Sequence, residues 1–173
     1  MTTNNNDPNI TVDVDATYTF EISEKTIPNF KMAASISQWL VTNLSNLTDD
    51  HDKKIFNKVN TGFNESSVRT FGSEPVCDVY IDNVEYETDF DITRPIKVHS
   101  IVLFYMKGAK NNTYFKACQL HDYIMQSFIE NEDWRVLNGY VSNTFITNSQ
   151  LMNQPIQKKW GIMGAFELTH NLF

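Results

Sequence analysis

The side chains to weigh first for chemistry are two thiols, Cys77 and Cys118, and two imidazoles, His99 and His121. Cys118 and His121 stand three apart, a spacing that turns both to one side of a helix, while Cys77 and His99 are isolated in strand-like runs. Structural zinc is held by close ligand pairs, and here only one such pair exists. A cysteine is also a small apolar residue that packs well in a core. The spacing therefore predicts core packing and no metal site, and two cysteines without a framework predict no disulfide.

Carboxylates are the second group. Seven acids fall between positions 74 and 91: Glu74, Asp78, Asp82, Glu85, Glu87, Asp89 and Asp91, with no base before Arg94. Glu85, Glu87, Asp89 and Asp91 alternate with Val84, Tyr86 and Phe90, so a strand would place the four acids on one face. Magnesium-dependent chemistry would want a lysine beside such acids, and a calcium loop would want a glycine at its bend. Neither is present. The predicted role is a solvated acidic face or a wall that repels anions.

Nucleophiles offer less. No Gly-x-Ser-x-Gly elbow occurs, and no phosphate-cradling glycine loop. Gly161 and Gly164 sit inside a strand pattern, where glycine marks a bend or a close approach of neighbours. The expectation is a chain that is not an enzyme and carries no cofactor.

The elements that would position these residues follow from periodicity. Residues 1–9 read as a polar lead-in. Over 10–22 the alternation is strict: Ile10, Val12, Val14, Ala16, Tyr18, Phe20 and Ile22 against Thr11, Asp13, Asp15, Thr17, Thr19 and Glu21. Thirteen residues of period two predict a strand or a bent pair, an arm over 10–24 that pairs in its own sheet or extends a neighbour's. Val12, Val14, Tyr18 and Phe20 are its candidate interface residues. Residues 28–47 read as a helix with Pro28 in its first turn and Ala33, Ser37, Leu40, Leu44 and Leu47 on one stripe. The spans 76–81 and 84–90 predict a hairpin turning at Asp82-Asn83, after which 91–95 break the ladder. Residues 96–107 are apolar on both parities and predict a central strand. A second helix follows, capped at Asn112 or Thr113, with Tyr114, Ala117, Cys118, His121, Ile124, Met125 and Phe128 inward. Residues 134–147 read as a strand pair or a strand with an irregular lead, turning near Asn138-Gly139, 148–155 as a polar loop, and 159–170 as the last strand. The fold class is α+β: a mainly antiparallel sheet with two helices packed on it, plus the N-terminal arm, in one domain over 10–173.

Composition bounds the function. The 173 residues carry 14 Lys and Arg against 21 Asp and Glu, a formal charge of −7, with 41% hydrophobic residues. An acidic surface argues against a protein that grips nucleic acid. No window approaches the ~18 apolar residues of a membrane span. Residues 1–6 have neither the basic start nor the apolar run of a secretory signal, which predicts an intracellular chain. Asn occurs 19 times, so its Asn-x-Ser/Thr triplets, such as Asn46-Leu47-Thr48, are expected by chance.

The succession of a first helix (residues 30–47), an acidic hairpin (76–90), a long apolar strand running through a short turn into a second helix (98–129), and two closing strands (134–147, 160–168) resembles the tail terminator, or tail completion, proteins of long-tailed bacteriophages. The resemblance covers roughly residues 28–170 and is one of pattern and size. It implies a structural virion protein: a homohexameric ring in the tail and neck, assembled in the host cytoplasm, that caps the tail tube and forms the head–tail joint. Its implied partners are further copies of itself, the major tail tube protein and the head connector or stopper protein. DNA would pass through without being tightly bound, and no membrane is involved. Six copies would carry about −42, and a lumen that repels phosphate does not hold the cargo. Glu85, Glu87, Asp89 and Asp91 are the expected lumen residues. The alternatives are a head-completion or stopper protein and, in a different class, a small metal-dependent enzyme using His99, Cys118 and His121.

Overall fold

The computed structural model describes residues 28–62, 75–89, 92–107, 110–156 and 159–173. Their order is helix α1 (Pro28–Asn46), strands β1 (Lys58–Thr61), β2 (Val76–Asp89) and β3 (Ile92–Lys107), and helix α2 (Lys110–Glu130). A short helix α3 (Glu132–Val136) with a 3-10 turn (Leu137–Gly139) then leads into strands β4 (Asn143–Ile156) and β5 (Lys159–Asn171). The five strands form one sheet in the order β1-β2-β3-β5-β4. The β2–β3, β3–β5 and β4–β5 pairs are antiparallel, and only the short β1 runs parallel to its neighbour. The architecture is α+β. The expected arm over residues 10–24 lies outside the described residues.

α1 forms because Ala33, Ile36, Ser37, Leu40 and Leu44 recur at helical spacing and are all buried. Each fully buried Leu or Ile contributes ~1.5–3 kcal/mol over an exposed one. The helix gives way to a tight loop in which the Asp49 carboxylate accepts from the backbone N–H groups of His51 (2.9 Å) and Lys53 (3.0 Å). Those two bonds hold its pKa below the ordinary carboxylate value.

The helix-facing side of the sheet is set by parity: Val98, Val102, Phe104 and Met106 of β3 lie beside Ile162, Phe166 and Leu168 of β5, and all join the main core. Gly164 pairs with Phe104, and a Cβ there would overlap the Phe104 ring. This is the close approach expected of that glycine. Trp134 of α3 packs edge-on against Trp39 (5.4 Å) and Phe128 (5.0 Å), fastening α3 to both long helices. The opposite face carries a smaller cluster of Val76, Leu103, Tyr105 and Ala165.

Six expectations are corrected. No turn occurs at Asp82-Asn83: β2 runs through it to Asp89, and the ladder slips by one residue between Ile81 and Asn83. Turn-forming residue types here make a β-bulge, which also tolerates irregular backbone. Residues 92–95 do not break the ladder but begin β3. Pro95 fits because β5 joins β3 only from Lys97 onward and the β2 register slips again beside it. Residues 134–139 are helix α3 and a 3-10 turn ending on Leu137, Asn138 and Gly139 with positive φ, so the strand-pair reading of 134–147 fails and one strand with a non-strand lead is found. Residues 148–155 are not a loop but the second half of β4, a polar strand whose ladder is supplied wholly by β5. α2 also starts at Lys110, ahead of the expected caps, and Tyr114 of its expected inner stripe is exposed.

Candidate functional site

The helix-free face of the β2–β3 hairpin gathers the chemistry. The bulge at Asp82 switches the parity of β2, so that Tyr80 before it and Glu85 and Glu87 after it share this face. β3 returns antiparallel and sets Lys97 opposite Glu85 and Arg94 opposite Glu87. His99 lies one step along, opposite Thr169 of β5. Glu85 Oε1 is 2.8 Å from His99 Nε2, its Oε2 is 3.2 Å from Lys97 Nζ, and His99 Nδ1 is 3.0 Å from Thr169 Oγ1. Arg94 donates to Glu87 Oε2 from Nε (3.1 Å) and Nη2 (2.8 Å). The His99 hydrogen bond, and then Lys97, hold the Glu85 carboxyl below its ordinary pKa.

Carboxylate, imidazole and hydroxyl in series is the order of a nucleophilic triad, but the surroundings do not make one. The Thr169 hydroxyl is buried in a strand and spent on His99. A neutral His99 donates from Nε2 to Glu85 and accepts from Thr169 at Nδ1, leaving no ring nitrogen for a substrate. What the series does is tie β2, β3 and β5 together across their polar face.

A second polar chain lies on the helix side. His170, fully buried, has Ser100 Oγ 2.6 Å from Nε2 and Thr144 Oγ1 2.9 Å from Nδ1, linking β3, β5 and β4. Burial, with a smaller push from the His99 charge, lowers its pKa to about 3. It is a neutral structural histidine.

The residues weighed as metal ligands are divided by the sheet. His99 points to the polar face, whereas Cys77 and His121 are on the helix side, His121 stacked 4.6 Å from Phe166. Burial pushes the Cys77 thiol well up, with the Asp78 charge adding. Cys118 lies one turn after Tyr114 and raises the pKa of its hydroxyl. Among the described residues no three His, Cys, Asp or Glu side chains cluster as ligands.

Glu85 and Glu87 do share one face, as alternation required. That face is charge-paired rather than uniformly negative, because Arg94, Lys97 and His99 return beside it. Asp89 ends β2 opposite Ile92. Asp91, Val12, Val14, Tyr18 and Phe20 lie outside the described residues. Thr169 and His170 were missed, although His170 falls on the apolar parity of the last strand with Phe166 and Leu168 and was legible as a core residue.

A groove of about 670 Å³ opens at the other edge of the sheet, between Met125, Phe128, Ile129 and Arg135 of the helices and residues 143–149 of β4. No described helix is long and apolar enough to cross a membrane. Comparison with protein-family models gives no match, and comparison with curated proteins gives none.

Proposed function

We propose that this chain is a structural ring subunit, a tail terminator that closes the tail tube of a long-tailed bacteriophage and meets the head connector. The reading rests on one observation: helix, short strand, long antiparallel pair, helix and closing strand pair are built into one sheet with the order β1-β2-β3-β5-β4. β3 ends at Lys107 and α2 begins at Lys110, the direct run from long strand to second helix on which the resemblance was drawn. The two outer strands are unlike, β1 with four residues and β4 with fourteen. A subunit with two unlike edges suits head-to-tail contacts, which close into a ring by rotation.

In this role the face that carries Glu85 and Glu87 is turned to the lumen. Arg94 and Lys97 already hold carboxylates, so they compete poorly for phosphate, and the net charge of −7 keeps the average field repulsive to DNA. No catalytic step is required of the subunit.

Sedimentation of the purified chain, alone and with tail tube protein, tests the proposal. A closed assembly of about six subunits that also halts tube growth is the expected result. A chain that stays monomeric in both conditions overturns it. Binding to a head connector but not to tube protein would move the assignment to a stopper.

A further inference from the structure

We propose that the groove between α2, α3 and β4 binds a small amphipathic anion, an aliphatic monocarboxylate whose head meets Arg135 and whose tail lies along Met125, Phe128 and Ile129. The site goes beyond the ring reading, and neither depends on the other.

A volume of about 670 Å³ is that of a small-molecule site. The helix wall is apolar. Met125, Phe128 and Ile129 stand at i, i+3 and i+4 of α2, so they share one side of it. Phe128 is buried and Ile129 is 60% exposed, so this wall runs from the core out to solvent. Ile146 of β4, which packs against the core, continues the apolar surface from the sheet. A hydrocarbon tail laid here leaves water on two sides.

The polar side chains on the β4 side are largely committed elsewhere. Thr144 Oγ1 is 2.9 Å from His170 Nδ1, and Thr147 Oγ1 donates to the Glu167 carbonyl (3.0 Å). Asn148 Nδ2 donates to Glu167 Oε1 (3.1 Å). Glu167 alternates with Phe166 and Leu168, which join the helix-side core, so its carboxylate lies on the other face of the sheet. A ligand rich in amides or hydroxyls would give up water here for few partners. The lining favours hydrocarbon over a sugar or a peptide.

Arg135 supplies the head site. Among the described residues it is the one charged side chain of the lining, and no acid joins it. That inverts the balance of the chain, in which acids outnumber bases 21 to 14. Arg94 and Lys97 are each held by a carboxylate, whereas Arg135 is exposed and enters no ion pair among the described residues. Its backbone is fixed, because its neighbour Trp134 is buried and packs on Trp39 and Phe128. A guanidinium fork matches the two oxygens of a carboxylate. One cation balances one negative charge, and a phosphate monoester would leave a second charge unpaired beside apolar walls. The geometry therefore selects a monocarboxylate with a chain.

Titration calorimetry of the full chain with octanoate tests this, with octanol, acetate and octyl phosphate as comparisons. Octanoate should bind once per chain, about tenfold or more tighter than octanol, the margin of one charge-assisted hydrogen bond. Acetate should show no binding over the same concentrations, and each methylene from hexanoate to octanoate should tighten binding by up to about fourfold. Arg135→Gln should weaken octanoate about tenfold or more, leave octanol unchanged and keep the circular dichroism of the parent. Ile129→Asn should weaken both ligands. Equal affinity for octanoate and octanol, an Arg135→Gln variant that binds octanoate as the parent does, or no saturable binding of octanoate overturns the proposal. Tighter binding of octyl phosphate than of octanoate overturns the choice of a monocarboxylate. Binding is counted per chain, so each of these results holds for a monomer or an assembly and leaves the ring reading to its own test.

Discussion

At the scale of single residues, the two neighbouring histidines divide their roles by environment. His99 is partly exposed and leans on the Glu85 carboxylate, whereas His170 is fully buried between two hydroxyls. In the unfolded chain His170 takes a proton near its ordinary value of 6.5, and in the fold only near 3. Between those values the unfolded state binds more protons, so stability is complete above about pH 6.5 and falls as pH drops. The loss from this group should reach about 2–3 kcal/mol at pH 4.5. Urea midpoints at pH 7 and 4.5 measure it. His170→Gln should be less stable at pH 7 and show a shallower decline, and an unchanged slope in that variant would refute the assignment.

At the scale of elements, the tightest constraint is the crossing of β3 and β5 at Phe104 and Gly164. Gly164→Ala forces a methyl into the Phe104 ring and should cost about 1–3 kcal/mol by overpacking. Adding Phe104→Leu should recover part of that cost, so the double variant loses less than the sum of the singles. Strictly additive losses in denaturant titrations would show that the two do not share one space. This contact was half legible: a glycine within an apolar alternation announced a close approach, but its partner depends on a register 60 positions away. The same limit explains the rest. α1, β3 and β5 were readable because their period is local. Asp82-Asn83 read as a turn because turns and bulges favour the same residue types, and only the strand opposite decides between them. Residues 148–155 read as a loop because an edge strand needs no apolar face of its own once β5 supplies the ladder. The Glu85–His99–Thr169 series was invisible for the same reason: its members come from three strands, and no spacing in the chain announces them.

At the scale of the whole molecule, charge and apolar contact pull in opposite directions. In the proposed ring, subunits of −7 would repel one another, and closure would concentrate that repulsion. The contacts that hold the proposed ring have to outweigh that repulsion. The charged pairs Glu85–Lys97 and Glu87–Arg94 are satisfied within one subunit, so the proposed contacts between subunits are apolar ones, which salt does not weaken. Raising salt from about 0.01 M to about 0.15 M shortens the screening length from roughly 30 to roughly 8 Å. It should relieve the repulsion and leave the attraction intact, so the assembly should persist to lower protein concentration at the higher salt. Sedimentation velocity across a dilution series at the two salts measures this directly. Dissociation on adding salt would mean that intersubunit ion pairs hold the assembly, and it would overturn the apolar contacts argued for it.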